Sequence, residues 1–546
     1  MKAAATTPDP STLPGLLDLR RLEDDASVFE ADVCIVGSGP AGLAVARGLA
    51  GLHLRILVVE SGGLEESEAT DRLSEIESVG FAREMAPRRV RNRVFGGTSE
   101  SWTGRCAPFD PIDFERRDWV ARSGWPISRA EVMPWLERAA PQLGISTQFD
   151  PVPDRLAGDE ALRECVWQFS RGRDGYAFTQ SGREFLAERA LDAGLADIRV
   201  LLHATVREVL VTASGRAVEG VEVVALNGRQ ARIRAPLVVL AGGGIENARM
   251  LLLSRRVMGC GIGNGRDQVG RHLMDHPRGV IAAFDRTAFD AVRARYGLFR
   301  LPQPGGMQTY VRGLTLSPET QAREGLLNCA AWITEERAED DPWEAAKRLR
   351  GGRSAHPLAD TLAIARAPRL VAAGLAARAF GQGGVPHKLR GLVLDCIVEQ
   401  VPDPDSRILL GERRDPLGLP VAVIDWRIDL QARRSAARLA RYAAAAFARL
   451  GVAPPRLSDW IAEDALSRAQ LRDVAHPMGT TRMSATAQDG VVDTNGQVHG
   501  VHGLFIAGSS VFPTSGHANP TLMIVGLATR LAFHLRGLAL TDSQAA

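Results

Sequence analysis

Cysteine is scarce and scattered in this chain. Cys34, Cys106, Cys165, Cys260, Cys329 and Cys396 form no C-x-x-C pair, so neither a zinc site nor a disulfide framework is expected. Cys34 falls inside an apolar run and reads as a small core residue. The 11 histidines show no H-E-x-x-H or comparable metal spacing. An excess of either charge is also missing: the formal net charge is +2. The basic run 88–93 is short, and it reads as a solvated face or a local anion contact. No nucleic-acid partner is expected. No run of 18 apolar residues occurs, so no transmembrane segment is expected. The first 15 residues lack the apolar region of a secretory signal, and the expected location is cytoplasmic.

What remains is an ordinary globular composition, 45% apolar and 24% charged, over 546 residues, enough for two or more domains. Residues 1–29 read as a tail or arm. Residues 32–39 read as a buried strand entering a turn, 40–50 as a helix and 54–60 as the next strand, together a βαβ unit. Strand-like segments follow at 196–211, 218–226 and 231–241. The last runs into the glycines of 242–244 and a helix over 245–253. Further strands are expected around 391–401, 406–411 and 421–428, with a helix over 431–450. The Ala-, Arg- and Leu-rich stretch 335–390 reads as a helical insertion or lid, with a membrane-surface contact at 373–380 as the lesser alternative.

The turn Gly37-Ser38-Gly39-Pro40-Ala41-Gly42 carries a dinucleotide-binding pattern. Gly37 allows the tight turn, Gly39 lets backbone approach a pyrophosphate, and Gly42 lets the helix pack on the sheet. The free N–H groups of the helix N-terminus then face the anion. Glu60, followed by Ser61, ends the second strand about 20 residues on, where a carboxylate accepts from ribose hydroxyls. This pattern alone leaves FAD and NAD both open.

Near the other end, His476 lies in HPMGTTRM (476–483) and Asn519 in SGHANPT (515–521). Oxidation of an alcohol needs a neutral base within reach of the hydroxyl proton, a role that suits imidazole. It also needs an uncharged polar group to orient the oxygen, a role that suits an amide. Taken alone, the two residues read more simply as a core histidine and a helix cap before Pro520.

Six segments decide the matter. GSGPAG, Glu60, FGGTSESWTG (95–104), VGRHLMDHP (269–277), HPMGTTRM and FIAGSSVFPTSGHANPT (505–521) together resemble the glucose–methanol–choline (GMC) family of flavin oxidoreductases, in particular its pyranose-oxidase-like branch. The resemblance spans residues 33–530. It implies an α/β fold: a Rossmann-like FAD-binding domain (30–120, 190–280 and 455–540) and a substrate domain (121–189 and 281–454) of mixed or antiparallel sheet with covering helices. It implies FAD along Gly96, Gly97, Thr98, Ser99 and Trp102, at Val206, at Ala241, Gly242 and Gly243, at Gly508 and Ser509, and at Asn519, Pro520 and Thr521. It makes His476 the base and Asn519 its partner. His517 is the candidate substrate contact, and His276 reads as structural support. Ser101 stands where some relatives carry a flavin-linking histidine, so the FAD is expected to be non-covalent.

The expected reaction is oxidation of a CH–OH group to a carbonyl, on a sugar or glycoside hydroxyl. A non-sugar alcohol is the alternative, and a flavin photoenzyme or non-redox flavoprotein is less favoured. Electrons would pass to dioxygen or a redox partner.

Overall fold

Short aliphatic runs build the first layer. In the computed structural model, which describes residues 14–22, 27–83, 91–156, 159–172, 179–304, 306–380 and 385–545, Val33–Val36 and Ile56–Val59 are buried along their whole length. Strands covered on both faces require such continuous apolar runs. They lie inside a six-stranded sheet in the order Leu16–Asp18, Arg199–Leu202, Ile56–Val59, Val33–Val36, Leu237–Leu240, Leu504–Ile506, parallel throughout.

The neighbouring strands Val33–Val36 and Leu237–Leu240 run in the same direction, and each ends in a glycine turn and a helix, Pro40–Leu49 and Gly243–Leu253. The two turns therefore abut. A side chain at Gly37, whose φ is +102°, would meet the Ala241 carbonyl at 2.7 Å. A Cβ at Gly42 would sit 1.9 Å from the Gly37 carbonyl, so the helix can close on the sheet only without one.

The segment read as an N-terminal arm contributes structure instead. Leu16–Asp18 is an edge strand of the parallel sheet, and Ser27–Glu30 pairs with Gln230–Arg234. Strands this short carry no periodic signal. Residues 1–13 and 23–26, and 88–90 of the basic run, lie outside the described residues.

The second layer is antiparallel. Its path runs Arg456–Leu457, Arg278–Ala283, Leu389–Val398, Cys329–Arg337, Gly306–Leu316, Leu162–Phe169, Arg105–Cys106, with Phe299–Gln303 added beside Gly306–Leu316. The helix Leu430–Arg449, capped by Asp429 accepting from the Ala432 N–H, packs Phe447 against Phe284 and Tyr296 at ring separations of 4.9 and 5.5 Å. Arg407–Arg414 and Pro420–Trp426 form a separate small sheet with Ile76–Gly80.

The stretch 335–390 is helical as expected, with Pro342–Arg350, Pro357–Ala365 and Pro368–Phe380 each opened by a proline. Leu358, Leu362 and Leu375 stand exposed on it. The C-terminal helix Thr521–Ala545 is apolar enough over 521–539 to cross a bilayer, yet more than half of that stretch is buried within the fold. It lies along Pro40–Leu49, where a Cβ at Gly48 would come 2.4 Å from that of Ala532, and along Arg129–Ala139. A core helix accounts for both its hydropathy and its burial.

Candidate functional site

The abutting turns open onto a cavity of about 610 Å³ that reaches the loops carrying His476 and Asn519. The size suits a bound organic cofactor. Most of the expected contacts line it: residues 37–41, Glu60, Ser61, Gly97, Thr98, Trp102, Val206, Ala241 to Gly243, His476, Gly508, Ser509 and 519–521. The walls are cut away where a cofactor would pass. At Gly39 and Gly243 an added Cβ would meet no atom within 4 Å, so a side chain there would stand in the open groove. The helix Pro40–Leu49 has no side-chain cap, which leaves its first N–H groups for an anion. These features fit an extended dinucleotide.

Four expected contacts lie elsewhere. Gly42 packs beneath the turn, as described. Gly96 donates its N–H to Ser38 Oγ (3.2 Å), and a Cβ there would strike Gly182 N at 2.8 Å. Ser99 Oγ donates to the Gly96 carbonyl and accepts from the Ser181 N–H, so both residues hold the 96–99 turn from inside. His517, 2% exposed, does not line the cavity. Its Nδ1 lies 3.2 Å from the Asp110 carboxylate, and its ring meets Trp167 edge-on at 5.9 Å. Although burial opposes the charge, the Asp110 carboxylate and the Cys165 thiol hold its imidazole well above the usual histidine pKa. The setting is that of an ion pair buried on its His517 side only.

Glu60 also does more than line the wall. It accepts from Ser38 Oγ (2.6 Å), Ser38 N–H (3.0 Å) and Gly62 N–H (2.8 Å), stitching the second strand to the glycine turn. Burial raises its pKa, while these bonds and Arg93 oppose the rise. Its Oε1, which accepts only from Gly62, keeps acceptor capacity.

His476 sits in a prepared bracket. Met274 and Met478 form an antiparallel bridge, with N–H···O distances of 3.0 and 2.9 Å in the two directions. Asp275, fully buried, accepts from the N–H groups of Val474 (3.3 Å), His476 (3.1 Å) and His276 (2.7 Å) and is paired with Arg83. Ala475, just before His476, is held at φ +63°, an unusual conformation for a residue with a Cβ.

The bridge places His276 Nδ1 3.0 Å from His476 Nδ1, and His276 Nε2 3.1 Å from the Ser515 carbonyl. These contacts fix the protons. A carbonyl only accepts, so His276 carries its hydrogen on Nε2 and presents a lone pair at Nδ1. His476 must then donate from Nδ1, which leaves its Nε2 as a bare lone pair. Asn519 Nδ2 lies 3.5 Å from that lone pair, a long contact with the amide facing it. Burial, and then the neighbouring His276, push the His476 pKa down to about 3, and burial lowers that of His276.

His276, read from sequence only as structural support, thus contacts the candidate base directly, as does Asp275, which the sequence did not single out. Nothing in local spacing points to them, since they lie some 200 positions away. Arg105, on the cavity wall, was equally silent in the sequence.

A family model described as GMC oxidoreductase matches residues 402–528, and one described as FAD dependent oxidoreductase matches residues 32–262. The 2-methyl-1,2-propanediol dehydrogenase of Mycolicibacterium austroafricanum is 24% identical over 92% of this chain and 95% of its own. The C-glycoside 3-oxidase of Microbacterium trichothecenolyticum is 25% identical over 93% and 96%. Among solved structures, a formate oxidase variant from Aspergillus oryzae superimposes with a TM-score of 0.56 at 17% identity, covering 95% of this chain and 100% of that one.

Proposed function

Since the chain belongs to the glucose–methanol–choline family of FAD-dependent oxidoreductases, we propose that it oxidises a CH–OH group to a carbonyl with His476 as proton acceptor and Asn519 as the orienting group. The observation that carries this is the proton arrangement that leaves His476 Nε2 as an unprotonated lone pair beside the Asn519 amide on the cavity wall.

The residues that would hold FAD follow from the lining. The uncapped helix at Gly39–Pro40 and the turn at Ala241–Gly243 would face the pyrophosphate, Glu60 the ribose and Val206 the adenine. Gly97, Thr98 and Gly508–Ser509 would line the path to the ring. His476 is the only histidine among the lining residues described, and no cysteine or tyrosine accompanies it. This supports non-covalent FAD, and loss of the chromophore on denaturation tests it. When bound, FAD supplies the two-electron oxidant that receives the hydride.

The protein's share is positional. His476 Nε2 takes the hydroxyl proton while its Nδ1–H stays on His276. The Asn519 N–H groups steady the oxygen as negative charge gathers on it. Asp275 holds the 474–476 backbone and offsets the charge that His476 gains. The oxygen thus forms its double bond as the carbon loses its hydride.

A sugar or glycoside hydroxyl is the favoured substrate, supported by the likeness to the C-glycoside oxidase. The diol dehydrogenase supports the second reading, a non-sugar alcohol. Anaerobic mixing with a panel of sugars, glycosides and simple alcohols tests the proposal. Substrates should bleach the flavin, and His476→Ala should slow bleaching by about 10²–10⁴. Bleaching at the wild-type rate in that variant would remove His476 from the role.

A further inference from the structure

Arg105 lies on the wall of the same cavity as His476 and Asn519, at the edge of the antiparallel sheet. Its guanidinium lies 4.6 Å from the centroid of the Trp332 ring and 5.6 Å from that of Phe169. Among the described residues it has neither a hydrogen bond nor an ion pair. The acid that acts on it is Asp395, but that carboxylate is taken by Arg278 Nε at 3.1 and 3.0 Å and approached by Thr334 Oγ1 at 3.4 Å. Arg278 stands over the same Trp332 ring, 5.1 Å from its centroid, and it also bears on the titration of His476. Two cations, one of them acting on the candidate base, therefore share one carboxylate, and one positive charge is left over.

An arginine this deep without a counter-charge is costly. Burial, with Arg278 adding to it, draws its pKa down to about 10, so it stays charged at any ordinary pH. It keeps surface open to the cavity, where a counter-charge has room. A planar guanidinium held against rings pairs best with a planar carboxylate, and a single surplus charge matches a monoanion better than a phosphate dianion.

We propose that Arg105 anchors a carboxylate on the substrate, so that the alcohol oxidised at His476 is an acidic one, an acidic sugar or another hydroxy acid. This rests on the reading of the cavity as the oxidation site, and the experiment is built so that the two can fail separately.

Binding is measured by calorimetry on the FAD-loaded His476→Ala protein, which slows turnover, with D-glucuronate and D-glucose as matched probes. Glucuronate should bind at least about thirtyfold more tightly. Adding Arg105→Met should cost glucuronate at least about thirtyfold, the equivalent of ~2 kcal/mol for removing one partner of a buried charge pair, and bring the two affinities together. Arg105→Lys should keep part of the preference, which separates loss of charge from loss of fold. In the His476-intact enzyme, the ratio of kcat/KM for the acid over the neutral sugar should collapse in Arg105→Met. Equal binding of the two probes to the Arg105-intact protein would overturn the proposal. So would an equal loss of both in Arg105→Met, or a shift in the resting flavin spectrum of that variant, which would assign Arg105 to the cofactor. If no alcohol bleaches the flavin but glucuronate still binds through Arg105, the oxidation reading falls and the anion site stands.

Discussion

The proton arrangement around His476 makes His276 a positioning residue, and His276→Leu is the perturbation that isolates it. In the native protein the Nδ1–H of His476 ends on His276 Nδ1, 3.0 Å away. Leucine offers no acceptor. A buried N–H left without a partner costs about 1–3 kcal/mol, and His476 escapes that cost by moving its hydrogen to Nε2, facing the cavity as a donor. That tautomer cannot accept the substrate proton. The penalty therefore falls on the fraction of competent enzyme, and 1–3 kcal/mol corresponds to a loss of roughly 5- to 150-fold in the rate of flavin reduction. Substrate contacts are untouched, so the loss belongs in kcat with KM nearly constant. His276→Gln restores a side-chain carbonyl that can accept, and should recover part of the rate. The assay is anaerobic stopped-flow bleaching with whichever alcohol the panel identifies, followed across pH. Wild-type rates in His276→Leu, or a change confined to KM, would refute the tautomer argument.

Other expectations follow from the same geometry. Burial and His276 hold the His476 pKa at about 3, so the acid limb of kcat/KM should lie well below the 6.5 of a free imidazole, and a limb at or above 6.5 would contradict the assignment. His272, held at about 4 by burial and then by Arg482, His276 and His476 all bind protons less readily folded than unfolded. Stability should fall as pH drops below about 6.5, where the unfolded chain takes up protons first; a denaturant midpoint constant between pH 7 and 5 would count against it. Asp110→Asn should cost about 1–2 kcal/mol, less than for a sealed pair because the Asp110 side chain is 38% exposed. Its partner His517 has a raised pKa, so the difference from wild type should be greatest between about pH 4 and 6.5 and shrink as pH rises towards that pKa; a difference independent of pH would sink the ion pair. Gly42→Ala must move the first helix off the Gly37 carbonyl, 1.9 Å from the new Cβ, and should lower the melting temperature by the equivalent of ~1–3 kcal/mol or more and release FAD; a normal melting temperature and full flavin content would be inconsistent with it. Ala475→Gly removes a left-handed alanine and should leave stability equal or up to ~1 kcal/mol higher, whereas a marked loss would show that the strain is not borne there.

What was legible in the sequence was what local physics controls. The strand, glycine turn and helix at 33–49 had to be adjacent because each supplies the next one's constraint, and the second turn at 241–243 repeats the device. Gly96 and Ser99 show the limit of motif reading. Their segment borders the cavity, but these two residues face into the turn, and only Gly97 and Thr98 face out. The 335–390 helices were legible as helices, while the lid reading finds no support, for none of their described residues lines the cavity. Arg105 stayed hidden because a cation among 66 Lys and Arg residues acquires meaning only when its neighbours' charges are counted in space. His276 is the sharper case. No spacing rule links it to His476, and what joins them is one antiparallel bridge, Met274 with Met478. In that bridge each chain turns its next histidine towards the other: two residues on from Met274, two before Met478. The chemistry proposed for His476 therefore depends on backbone pairing between two segments that the sequence displays as separate motifs. A substitution that slips that bridge by one residue should abolish the base without touching either histidine.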